Sequence, residues 1–114
     1  MHVASVDSTE EKTTPSGVSL RWLLSEEHGA PGFEMRYFEI GPGGSTSGRP
    51  HPFEHEVFVV KGKGEIEGDD RTVAIGPGVA VLVLPGERHR FVNTSRDPLG
   101  FICLIPKGME NELK

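Results

Sequence analysis

One cysteine, Cys103, stands in a chain of 114 residues, so no internal disulfide can staple the fold. That usage fits a reducing compartment without demanding one. Basic clusters are also missing. Twelve Lys and Arg are scattered among seventeen Asp and Glu, for a net charge of −5, and no run of cations could track a phosphate backbone. Nucleic acid is therefore not an expected partner. No apolar run approaches the roughly 20 residues that a membrane helix needs. The opening MHVASVDSTEEKTT has neither the basic start nor the apolar core of a secretory leader, so the expected location is cytoplasmic, away from any membrane. Convincing amphipathic helices are absent as well, which turns attention to strands.

What the chain has instead is glycine and proline, fifteen and nine residues, gathered in GPGG, GRPHP, GPG and PGE between short apolar runs. Such punctuation favours strands joined by tight turns. The runs VSLRWLL, GFEMRYFEI, HEVFVVKGKGEIEG, RTVAIGPG, VAVLVLP, RHRFVNTS and LGFICLIP supply about eight strands. VAVLVLP reads from its composition as buried on both faces, and Gly68-Asp69-Asp70 as a hairpin turn. On GFEMRYFEI, Glu34, Arg36, Phe38 and Ile40 share one face and Phe33, Met35, Tyr37 and Glu39 the other. The pattern predicts an all-β closed barrel or jelly roll. Residues 1–16, rich in Ser, Thr and charge, read as a flexible arm, residues 17–114 as a single domain, and the tail GMENELK as polar with at most one helical turn. GPGGSTSG lacks the lysine and following helix of a phosphate loop, so turn chemistry accounts for it.

Three histidines stand out: His51 and His55 in RPHPFEHEVFVVKGKG, and His89 in PGERHRFVN. Neutral imidazoles brought together by a β-fold make a site for a divalent transition metal. A helical reading of His51 and His55 fails, because Pro50 and Pro52 interrupt it and Val57, Val59 and Val60 favour a strand. Extended, the two positions would stand roughly 13 Å apart, so the chain must bend near the prolines. On the strand after Pro85-Gly86, His89, Phe91 and Asn93 share a face. Ligation requires neutral imidazole, and occupancy is expected to fall as pH drops through the free histidine range near 6.5.

Both histidine segments resemble a known family. Gly44 through Gly62 looks like the first cupin motif, and Gly86-x-x-His89-x-x-x-Asn93 after Pro85 like the second. With PxHPFEHEVFVVKGK and CLIPK, the chain resembles the small one-domain manganese cupins that hold their metal with four histidines. The resemblance implies a double-stranded β-helix, a homodimer and one metal per chain. Where that subgroup has its first histidine this chain has Arg49, so His51, His55 and His89 alone carry over as ligands. Arg49 or Glu56 would supply any extra ligand or substrate contact. Arg49 has two readings: an inward clamp on a substrate carboxylate, or a solvated loop residue.

An all-nitrogen site with open positions suits Mn, Fe, Ni, Cu, Co or Zn. Without a carboxylate ligand the ion keeps its full charge of about +2, favouring an anionic substrate or a dioxygen-derived ligand. Phe53, Phe91, Asn93 and Cys103 are expected to line the pocket, Cys103 more as core than as chemistry. The leading expectation is a metal-dependent oxidoreductase of dioxygenase type acting on a small organic substrate. The alternatives are a non-catalytic binding or sensing module, and a metal-independent isomerase or epimerase. No residue in the motifs is an obvious general base, and the single tyrosine, Tyr37, has no sequence-local partner.

Overall fold

Nine strands follow one another in the computed structural model, which describes residues 1–109. They are β1 (Glu11–Thr13), β2 (Ser19–Leu24), β3 (Phe33–Ile40), β4 (His55–Lys61), β5 (Gly64–Glu67), β6 (Thr72–Ile75), β7 (Ala80–Val83), β8 (Arg90–Asn93) and β9 (Leu99–Pro106). A single 3₁₀ turn, Glu26–His28, is the one helical element among the described residues. No helix among them is long and apolar enough to cross a membrane. The reading of the tail as a helical turn falls mostly on residues 110–114, outside the described residues.

Two antiparallel sheets form the jelly roll. The larger has the order β1-β2-β3-β9-β4-β7, the smaller β6-β5-β8. β9 enters the middle of the larger sheet, pairing along its length with β3 and, on its other edge, with β4. A Ser45–Val92 bridge lays the loop after β3 along β8 and extends the smaller sheet. The hairpin read at Gly68 closes with a Gly68 N–H to Arg71 carbonyl bond of 2.8 Å between β5 and β6.

Period-two alternation sorts the side chains. On β4, His55, Val57 and Val59 are buried and Glu56, Phe58 and Val60 exposed. On β9, Leu99, Phe101, Cys103 and Ile105 point into the core, which also holds Phe38, Ile40, Phe53 and Phe91. Phe101 stacks between Phe38 and Phe91, with ring centroids 5.3 and 4.7 Å away. Burying one such side chain contributes about 2 kcal/mol.

Gly62 ends β4 at φ +81°, with a Cβ at this position running into the Pro98 carbonyl, so only glycine fits.

Two segments differ from their sequence reading. VAVLVLP was expected to be buried on both faces, yet Leu82 and Leu84 are about half exposed. β7 is the edge of the larger sheet, and among the described residues its outer face is left exposed. Within the segment read as an arm, β1 pairs with β2, and the Arg21 guanidinium donates to the carbonyls of Val6 and Thr9 at 3.1 and 2.5 Å.

Candidate metal centre

His51, His55 and His89 meet at one end of the barrel. Each offers a donor atom, and these atoms lie within 4.8 Å of one another. Small side-chain rotations would bring them to the roughly 2.1 Å bonds of a metal centre. The bend at the prolines is what allows this. His51 precedes β4, flanked by Pro50 and Pro52, and its ring stacks on Phe53 at 5.1 Å and on His55 at 4.9 Å. His89 arrives from the opposite sheet, its ring 5.1 Å from His55 and 5.4 Å from His51.

Hydrogen bonds orient two of the rings. His89 Nδ1 lies 2.9 Å from the Glu87 carbonyl, which can only accept, so Nδ1 carries the proton and Nε2 is left with its lone pair. His55 Nδ1 lies 3.3 Å from Cys103 Sγ, while its Nε2 is sealed from solvent without a partner. A buried, unpartnered ring nitrogen is costly unless something accepts its lone pair. A divalent ion would do so, and the donor set fits one.

Burial and nearby cations keep two of the three imidazoles neutral. Burial first, then repulsion from His89 when that ring is protonated and from Arg36 and Arg49, pushes His51 down to about 4 from 6.5. His55 falls to about 3, chiefly through burial, then Arg36. Both imidazoles are uncharged at neutral pH, as ligation requires. Protonating these two ligands therefore takes a pH below the free-histidine range.

The triad opens into a cavity of about 210 Å³. Its walls are Val18, Leu20, Phe38, Phe91 and Phe101, and its mouth is formed by Thr14, Ser16, Ser47 and Arg49. Of the expected pocket residues, Phe91 and Cys103 line this cavity. Phe53 is buried against His51 and His55 from outside it. Asn93 is also outside, its amide donating to the carbonyls of Ile40 and Asp97 at 2.9 and 2.7 Å. Glu56 is exposed on the outer face of β4, away from the three donors, because it alternates with His55. Arg49 is exposed at the mouth.

One residue of the site went unrecognised in sequence. Arg36 is 2% exposed and lines the cavity. It sits in register between Trp22 and Cys103, and its guanidinium lies 4.8 Å from the Phe38 ring centre. Only its alternation with Phe38 and Ile40 hinted at this. Tyr37 takes the opposite face of β3, where its hydroxyl donates to Glu39 at 3.3 Å. Burial and the neighbouring carboxylate push that phenol up to about 12.

Residues 36–105 match the Cupin domain family, Cupin_2, over more than half of the chain. The chain belongs to the cupin family. Among solved cupin folds it is similar to the polyketide cyclase RemF of Streptomyces resistomycificus, with a TM-score of 0.85 and 29% identity over 93% of this chain and 79% of that one. It is 32% identical to the 1-methylthio-D-xylulose 5-phosphate methylsulfurylase of Rhodospirillum rubrum, over 84% of this chain and 61% of the relative. It is 36% identical to the glucose-6-phosphate isomerase of Thermococcus kodakarensis, over 54% of this chain and 36% of that enzyme. The chain thus spans less than two thirds of either curated relative. These cupins carry different activities on one fold, so function has to be argued from the site.

Proposed function

We propose that this cupin is a metal-dependent enzyme in which His51, His55 and His89 hold one divalent transition ion beside a small, mostly apolar substrate cavity. The observation that carries the reading is His55 Nε2, buried without a partner beside the other two imidazoles. When bound, the ion supplies Lewis acidity and, if redox-active, the means of activating dioxygen. The chain's own residues do the rest. Cys103 and the Glu87 carbonyl fix two of the rings. Phe38, Phe91 and Phe101 exclude water around the substrate.

An oxidoreductase of dioxygenase type is the reaction class that best suits this lining, because no Asp, Glu, Lys or Tyr side chain faces the cavity among the described residues. Such a site has no carboxylate or phenol to shuttle protons, and Tyr37 is turned to the other face of β3. A redox-neutral reaction relying on the ion's Lewis acidity is the second reading, supported by the names of the isomerase and cyclase relatives. Oxygen uptake separates them. Protein loaded with Fe(II) or Mn(II) and offered small thiols, diketones and carboxylic acids should consume oxygen with its substrate. Conversion of a substrate without oxygen uptake favours the second reading, and no conversion with any ion leaves a binding module.

We further propose a homodimer, supported by the apolar surface that Phe58 of β4, Leu82 of β7 and Leu84 just after it leave about half exposed among the described residues. Sedimentation of wild type against Leu82→Glu tests it. A dimer that becomes monomeric agrees, and a wild-type monomer contradicts it.

A further inference from the structure

Arginine is rarely buried without an anion beside it. Yet none of the ion pairs among the described residues involves Arg36, although it is 2% exposed. Its Nη2 donates to Cys103 Sγ at 3.1 Å, and its Nε is sealed without an acceptor. Among the described residues Nη1 has no hydrogen-bond acceptor either, and Arg36 lines the cavity. The guanidinium is held in place from three sides. Trp22 and Phe38 lie 5.5 and 4.8 Å from it, and Cys103 faces it across the β3–β9 register. Cys103 Sγ also contacts His55 Nδ1 at 3.3 Å, so one sulfur atom separates the guanidinium from a histidine of the triad.

A fixed cation of this kind would be an expensive way to fill a core position, since a leucine or methionine would pack there without the desolvation cost. It is useful if an anion arrives with the ligand. We propose that Arg36 is the substrate-anchoring residue and that the substrate is a small organic monocarboxylate, held by its carboxylate on Arg36 with its apolar body among Phe38, Phe91 and Phe101.

Three features select a carboxylate. The cavity, about 210 Å³, is smaller than the roughly 300 Å³ at which pockets for drug-sized ligands begin, which limits the ligand's size. Arg36 is the one buried cation among the described lining residues, Arg49 being exposed, and one buried guanidinium matches the single charge and planar fork of a carboxylate. Most of the remaining wall is hydrocarbon. The role considered for Arg49 in sequence thus passes to Arg36, and Arg49 at the mouth is left to attract the anion from solution. The inference deepens the metal-enzyme reading by naming its substrate class, but the anchor consists of protein atoms alone and can be measured without metal.

The test is equilibrium binding of benzoate, with neutral benzamide and inorganic phosphate as further probes, by calorimetry on Zn(II)-loaded and metal-stripped protein. Benzoate is expected to bind the wild type in both forms. Arg36→Gln should weaken it by at least about tenfold, Arg36→Lys by less, and Arg49→Gln by under about threefold. Benzamide should bind alike to all of them. Where Arg36→Gln fails to fold, Arg36→Lys decides, since it keeps the charge but loses the planar fork. Equal benzoate affinity in wild type and the folded Arg36 variants overturns the proposal, as does the absence of benzoate binding. Arg36-dependent binding of phosphate in preference to benzoate overturns the carboxylate assignment. Arg36-dependent benzoate binding in a protein that takes up no Zn(II) supports the anchor while removing the metal reading, so the two can fail separately.

Discussion

The Gly86 amide donates to the His51 carbonyl at 2.6 Å, tying the loop of the first histidine to the turn that leads to the third. Two segments distant in sequence thereby become one scaffold. Gly86 can sit there because it has φ +77°, where an L side chain is strained although no atom crowds it.

Replacing it tests that scaffold. Gly86→Ala should cost about 1 kcal/mol of stability in urea denaturation, the ordinary penalty for a left-handed backbone. It should also weaken metal binding, measured by competition with a chelator, because relief of the backbone strain shifts the amide that tethers His51. Unchanged metal affinity would show that the bond does not position the ligand.

Cys103 is placed to orient His55. Its thiol is pushed upward by burial, against the opposing influence of Arg36, and acts as a neutral partner for Nδ1. Cys103→Ala should lower metal affinity by about tenfold, as loss of a partner to a ligand does, while Cys103→Ser should retain more of it. Equal affinity in all three proteins would reduce the cysteine to core packing.

The depressed histidines predict a pH signature in metal-free protein. In the unfolded chain His51 and His55 take up protons below about 6.5, whereas in the fold they resist until about 4 and about 3. Between those limits the unfolded state binds more protons, so stability is fully present above the unfolded value and is lost as pH falls through the window. Melting temperature should drop from pH 7 toward pH 4, and His55→Gln should make that drop shallower. An identical slope in the variant would mean that His55 is not desolvated.

Much of this was legible from sequence. The strand pattern, the glycine turns and the convergence of three histidines follow from alternation, turn chemistry and motif spacing, and the bend at Pro50 and Pro52 was required by the reach of an extended chain. What alternation does not reveal is which face of a strand looks inward and what lies across the barrel from it. Arg36 shared a face with Phe38 and Ile40 in sequence, but its position against Cys103 and Trp22 depends on the register of β2, β3 and β9. Asn93 shows the same limit: it shares parity with His89 and Phe91, yet the end of β8 turns it to the carbonyls of Ile40 and Asp97. The exposed face of β7 is likewise a matter of sheet order, since an edge strand and a central strand can share one apolar composition.

The central claim is that His51, His55 and His89 hold a metal, and elemental analysis of tag-free protein beside His51→Ala and His89→Ala tests it most directly. The account predicts near one transition ion per wild-type chain and loss of that ion in both variants. Wild-type protein that remains empty after exposure to Fe(II), Mn(II), Ni(II), Cu(II) and Zn(II), or variants that retain the ion, would contradict it.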